Sequence, residues 1–200
     1  MKSNHLKNTS SAEITLPSID ATVSTSIDTT LNPNLSKLKD YAKIDYGFLT
    51  PDEFGIFSFT SRRRDWVRIN AIKEFAEDWS PLCQKRIQAL RPGYYTRLGA
   101  AIRHTGKLLA DRPHQNRLML VITDGKPNDV DHYEGRYGIE DSRRAVRECR
   151  RNGLALFGVT VDRKAQDYFP YIFGAAGHAI VGTLENLPAA LPRIYRQLVQ

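Results

Sequence analysis

The sequence predicts an α/β fold with a doubly wound, mostly parallel sheet. Three observations carry that reading. Leu118–Ile122 and Leu154–Val161 are continuous apolar runs, as expected of strands buried on both faces. Segments of helical periodicity lie between such runs, and strands alternating with helices build a sheet covered on both sides. Phe54–Phe59 and Trp66–Ile69 are separated only by the Arg-rich link Ser61–Asp65, which predicts an antiparallel hairpin.

Residues 1–13 read as a polar, flexible lead with too little apolar content for a secretory signal. The domain is expected to occupy 14–200. Ile14–Ile19 is a weak first strand that conflicts with its own Pro17, because proline removes a ladder donor. Leu35, Leu38, Tyr41 and Ala42 recur at helical spacing after Pro33. Pro81–Leu90 predicts a helix with Leu82, Ile87 and Leu90 inward. Leu98, Ala101, Ile102, Thr105, Leu108 and Leu109 form one helical face. Ile139, Val146 and Cys149 mark another helix, which Gly153 can end. Ala179–Val181 is a short last strand. Leu184 to Leu198 supplies a closing helix whose start Pro188 and Pro192 obscure.

Composition narrows the function classes. Hydrophobic residues make up 41% and charged residues 26% of 200 residues, as in ordinary globular chains, and no run approaches a membrane span. Cys83 and Cys149 are far apart and in no metal-type spacing, which suits two reduced thiols in a cytoplasmic protein. The net charge of +7 favours acidic partners of some kind.

Ligands of open α/β sheets sit beyond the carboxyl ends of the strands. Three segments are expected there: Asp20-Ala-Thr22-Val-Ser24, Tyr94-Tyr95-Thr96, and Thr123-Asp124-Gly125. Asp20, Thr22, Ser24, Thr96 and Asp124 offer oxygen ligands alone, which suit a hard cation such as Mg²⁺ or Mn²⁺. Taken singly, Thr22 and Ser24 are more often helix caps than ligands, and Asp124 before glycine is usually a turn residue; the conjunction raises the metal reading.

That set resembles the metal-ion-dependent adhesion site of von Willebrand factor A domains, whose pattern is Asp-x-Ser-x-Ser, a later Thr and a later Asp. Thr22 stands where the family usually has Ser. The longer stretches Arg91–His104, Thr123–Asp129 and His132–Asp141 resemble the A domain of nitric-oxide-reductase activation proteins of the NorD type and their rubisco-activating (CbbO-type) relatives. The resemblance implies a Rossmann-like sheet with one antiparallel edge strand. It also implies a non-enzymatic adaptor that works beside a MoxR-type AAA+ ATPase to activate nitric oxide reductase, a related metalloenzyme or rubisco. A target Asp or Glu would complete the metal's coordination. The loop Lys126–Gly138, long for a strand-to-helix connection, would border it, with Lys126, His132, Tyr133 and Arg136 as partner contacts.

Two other classes compete. A phosphatase of the haloacid dehalogenase type needs an acid two positions after its nucleophile, where this chain has Thr22. A nucleic-acid binder would use the charge and the Arg62–Arg64 turn, but the chain has no recognition motif. His104 has no nucleophile near it in sequence and reads as a surface side chain.

Overall fold

The computed structural model describes the backbone of residues 20–26, and residues 53–91, 93–113 and 116–198. Six strands are described: β1 Asp20–Ser26, β2 Phe54–Ser61, β3 Val67–Lys73, β4 Arg117–Thr123, β5 Ala155–Thr160 and β6 His178–Ile180. The helices are α1 Pro81–Gln88, α2 Leu98–Ala110, α3 Gly135–Arg151, α4 Phe169–Phe173 and α5 Leu187–Leu198. The sheet order is β3-β2-β1-β4-β5-β6. All neighbours pair in parallel except β3, which runs antiparallel to β2 at one edge. The doubly wound sheet and the hairpin are therefore as the sequence predicts.

Alternation along β4 explains the two-sided core. Leu118, Leu120 and Ile122 point into one apolar layer, where they join Ile87 of α1 and Leu187 and Leu191 of α5. Met119 and Val121 point into the other, with Leu98, Ile102 and Leu109 of α2 and Val146 and Cys149 of α3. Met119, Val121 and Ile122 are wholly buried. Each such aliphatic side chain stabilises the fold by roughly 1.5–3 kcal/mol. Gly153 has φ 77°, the left-handed conformation that lets the chain leave α3 and enter β5.

Four expectations need correction. The first described strand begins at Asp20 instead of ending there; Ile14–Ile19 and the helix expected after Pro33 lie outside the described residues. Ala21–Thr25 has no proline and carries β-branched Thr22, Val23 and Thr25, so it suits a slot paired on both sides better than a segment holding Pro17. In α1, Leu82 is 52% exposed, while Cys83 and Ile87 are buried. Trp66 precedes β3 and is 41% exposed, because it belongs to the hairpin turn. The short helical segments at 163–173 carry no long period, so periodicity missed them; the sheet holds them through buried Tyr168, Phe169 and Phe173.

Candidate functional site

The carboxyl edge of the sheet gathers three segments. β2 ends at Ser61 and turns through Arg62–Trp66. Ser61 and Tyr95 exchange backbone hydrogen bonds of 2.9 and 3.0 Å, and Thr96 and Asn128 exchange bonds of 2.9 and 3.1 Å. The residues before α2 thus stitch the hairpin to the loop that follows β4.

Two aspartates of that loop lock the arrangement. The Asp129 carboxylate accepts from the Arg63 and Val130 amides, both at 2.8 Å, and from Arg97 Nε at 3.2 Å. Its side chain is 0% exposed and that of Arg97 is 9% exposed, so the pair is desolvated. Asp131 accepts from the Arg64 amide at 2.7 Å and pairs with Arg97 Nη2. Burial opposes the Asp131 carboxylate, but the Arg64 amide and the Arg97 guanidinium outweigh it and hold its pKa below the ordinary value. Arg97 also stacks on the Tyr133 ring, 4.3 Å from its centroid.

Tyr133 is 1% exposed. Its hydroxyl donates to Asp141 at 2.6 Å and accepts from the Gly99 amide at 3.1 Å. Burial and the Asp141 carboxylate both push its pKa up. The expected partner contact at Tyr133 is therefore wrong: the ring is a post that fixes the loop to α2 and α3. Lys126, His132 and Arg136 are exposed, and the Arg136 side chain is 93% exposed. Beside them stand exposed Val130 and Tyr137, with Tyr137 edge-on to Tyr133. On the hairpin side, Arg62, Arg63 and Arg64 are exposed. Trp66 meets Tyr94 edge-on at 5.7 Å, and Arg62 covers the Tyr94 ring at 5.2 Å. His104 lies on the exposed side of α2.

The expected metal ligands divide. Asp124 follows β4 at the carboxyl edge, partly buried, and adds to the field that raises Tyr168. Burial is the first cause of that shift, followed by the Asp162 carboxylate. Thr96 is buried at the same edge. In the backbone register, however, Asp20 pairs with Arg117, Thr22 with Met119 and Ser24 with Val121; it is Ser26 that reaches Thr123. Six strand steps at about 3.3 Å set Asp20 roughly 20 Å from that edge. The five residues therefore do not converge, because the strand lies in the sheet where a loop at its end was expected. Among the described residues, no three His, Cys, Asp or Glu side chains gather to hold a metal. The expected donor set for Mg²⁺ does not fit this edge.

Sequence reasoning missed Arg97, Asp129 and Asp131. Two carboxylates two positions apart in a long loop, near an Arg-rich turn, were a signal. Which cation they meet is a tertiary fact.

A parallel sheet in the order 3-2-1-4-5-6 with an antiparallel first edge strand matches what the resemblance implied. Residues 50–186 match the model of the von Willebrand factor type A domain. The chain belongs to that family. This A domain is 55% identical over 147 residues to protein NorD of Brucella melitensis, covering 74% of the chain and 23% of that protein. It is 52% identical over 130 residues to protein NorD of Stutzerimonas stutzeri, covering 65% of the chain and 21% of that protein. The A domain thus spans under a quarter of the length of these curated relatives. Among solved structures it is similar in fold to the PilB minor pilin from Streptococcus sanguinis. The TM-score there is 0.56 at 14% identity, over 93% of this chain and 61% of that one. Among the described residues, no helix is long and apolar enough to cross a membrane.

Proposed function

We propose that this A domain is a protein-binding adaptor, not an enzyme, and that it captures an acidic region of a target protein on the carboxyl edge of its sheet. The observation that carries the reading is the pinned edge. Asp129 and Asp131 bind the backbone of the hairpin from below, so Arg63 and Arg64 are free to present their side chains outward. Lys126 and Arg136 extend the same cationic surface beside His132, with Trp66, Tyr94 and Tyr137 as rings for contact. Exposed arginines and aromatics on a rigid backbone are the side chains that dominate protein interfaces. No group arranged for nucleophilic or acid–base catalysis enters this reading.

Similarity to NorD proteins supports a narrower role. The A domain would hold the target while a MoxR-type AAA+ ATPase drives activation of nitric oxide reductase, a related metalloenzyme or rubisco. Capture is assigned to the cations and rings, and no step passes through Mg²⁺ or Mn²⁺. A pull-down of the target with and without chelator tests this. Capture should survive chelator and Asp124→Ala, and should fall when Arg62, Arg63 and Arg64 become Gln together. Capture abolished by chelator, with the arginine variant unaffected, would replace this mechanism by an ion-bridged one.

A further inference from the structure

We infer that a slot beside the hairpin turn receives an acidic side chain from an extended segment of the target. This deepens the proposed function and rests on that reading for the source of the segment. Alternation along β2 and β3 builds the slot. Phe54 and Ile56 of β2 and Ile72 of β3 lie in the apolar layer shared with Ile87 of α1. Farther along the same face the sequence turns polar, with Ser58 and Thr60 on β2 opposite Asn70 and Arg68 on β3. α1 stops at Gln88, and this end of the face borders a cavity of about 310 Å³. Those four residues line it, together with Leu90 and Arg91 just after α1.

The walls are fixed before anything binds. The Tyr94 amide donates to Thr60 Oγ1 at 2.7 Å, and Asn70 Nδ2 donates to Ser58 Oγ at 3.3 Å. A Cβ at Gly93 would lie 2.1 Å from Thr60 Oγ1, so only glycine lets the loop close this tightly on β2. Exposed Trp66 and Tyr94 line the slot as an edge-on pair. The charges have one sign, since no Asp or Glu lines the slot. Among the described residues, the exposed Arg68 guanidinium has neither an ion pair nor a hydrogen bond. Arg91 spends its Nη1 on the Gln88 and Leu90 carbonyls, at 3.3 and 3.0 Å. Arg62 covers the Tyr94 ring, so the slot is continuous with the cationic surface of the hairpin. A guanidinium fork takes a carboxylate in two parallel bonds, while the rings and Leu90 give contact area to the residues beside it. A preformed slot also avoids the entropy of ordering itself on binding.

Amide and indole NMR of the whole chain tests this with two capped tripeptides, acetyl-Leu-Glu-Leu-amide and acetyl-Leu-Gln-Leu-amide, and with inorganic phosphate. The Glu peptide should shift the Trp66 indole and the Ser58, Arg68 and Tyr94 amides saturably. The Gln peptide should bind about three- to fivefold more weakly, the scale of a partly solvated charge pair. Arg68→Gln should weaken the Glu peptide by a similar factor and leave the Gln peptide unchanged, because only the pairing of charges is lost. Arg68 is exposed on the edge strand, so this variant should keep its melting temperature. Arg68→Lys keeps the charge and loses the fork, and should fall between the two. Absence of saturable shifts, equal binding of the two peptides, phosphate as tight as the Glu peptide, or an Arg68→Gln that weakens both peptides alike would each overturn the assignment. Capture of the whole target separates this proposal from the reading it rests on. Capture that depends on Arg62, Arg63 and Arg64 but not on Arg68 sinks the slot and leaves the adaptor. Glu-peptide binding that depends on Arg68, with capture indifferent to all four arginines, keeps the slot and sinks the adaptor.

Discussion

Asp129 accepts three hydrogen bonds in a place with no solvent, and Arg97 is the charge that matches it. Removing Asp129 would leave Arg97 with Asp131 as its counter-charge but strand the Arg63 and Val130 amides, at about 1–3 kcal/mol for an unmade buried group. Asp129→Ala should lose stability of that order in denaturant unfolding; a loss under about 0.5 kcal/mol would mean these bonds are not buried in solution. Tyr133→Phe removes the bonds to Asp141 and to the Gly99 amide and should cost about 1–3 kcal/mol, since a buried donor stays unmade. Asp131 supplies a pH dependence. Its pKa is lower folded than unfolded, so its contribution is complete above the ordinary carboxylate range and is lost as pH falls through the depressed value. Stability followed downward from neutral pH should fall less steeply in Asp131→Asn than in the parent, and parallel curves would contradict this.

At the scale of elements, β1 and the hairpin make opposite demands. β1 is paired on both sides, by β2 and β4. Val23→Pro should therefore cost at least about 1–3 kcal/mol, because proline removes a ladder donor from a central strand and leaves a buried acceptor unmade. Thermal unfolding reads this directly, and an unshifted midpoint would show that 20–26 is not that strand. The hairpin turn is bound through its main chain, so its side chains are available. Replacing Arg62, Arg63 and Arg64 by Gln should leave the melting temperature nearly unchanged while weakening target capture. Lys126→Ala and Arg136→Ala should each weaken it by roughly 1–2 kcal/mol, measured by titration calorimetry.

Over the whole molecule, the net charge of +7 makes capture a screened interaction. Affinity for an acidic target should fall as salt rises, mainly through slower association, and salt-independent binding would shift the weight to the rings. The cationic surface at the carboxyl edge is outward, formed by exposed Arg62, Arg63, Arg64, Lys126 and Arg136.

The sequence by itself determined what repeats along the chain. Apolar runs marked β4 and β5, helical periodicity marked α2 and α3, and the short Arg-rich link marked the hairpin, because burial acts on each side chain at a fixed local period. It also carried the family through long motifs around Thr96 and Asp124. Only the tertiary structure decided where Asp20 lies, since a strand's register depends on its neighbours and not on its own pattern. The same is true of Tyr133, whose sequence position in a polar loop hid its burial under Arg97. The Arg97–Asp129–Asp131 knot joins residues more than thirty positions apart, and such pairing is set by how the loops close over the sheet. Local pattern fixes which residues form elements; the packing of those elements fixes which charges meet.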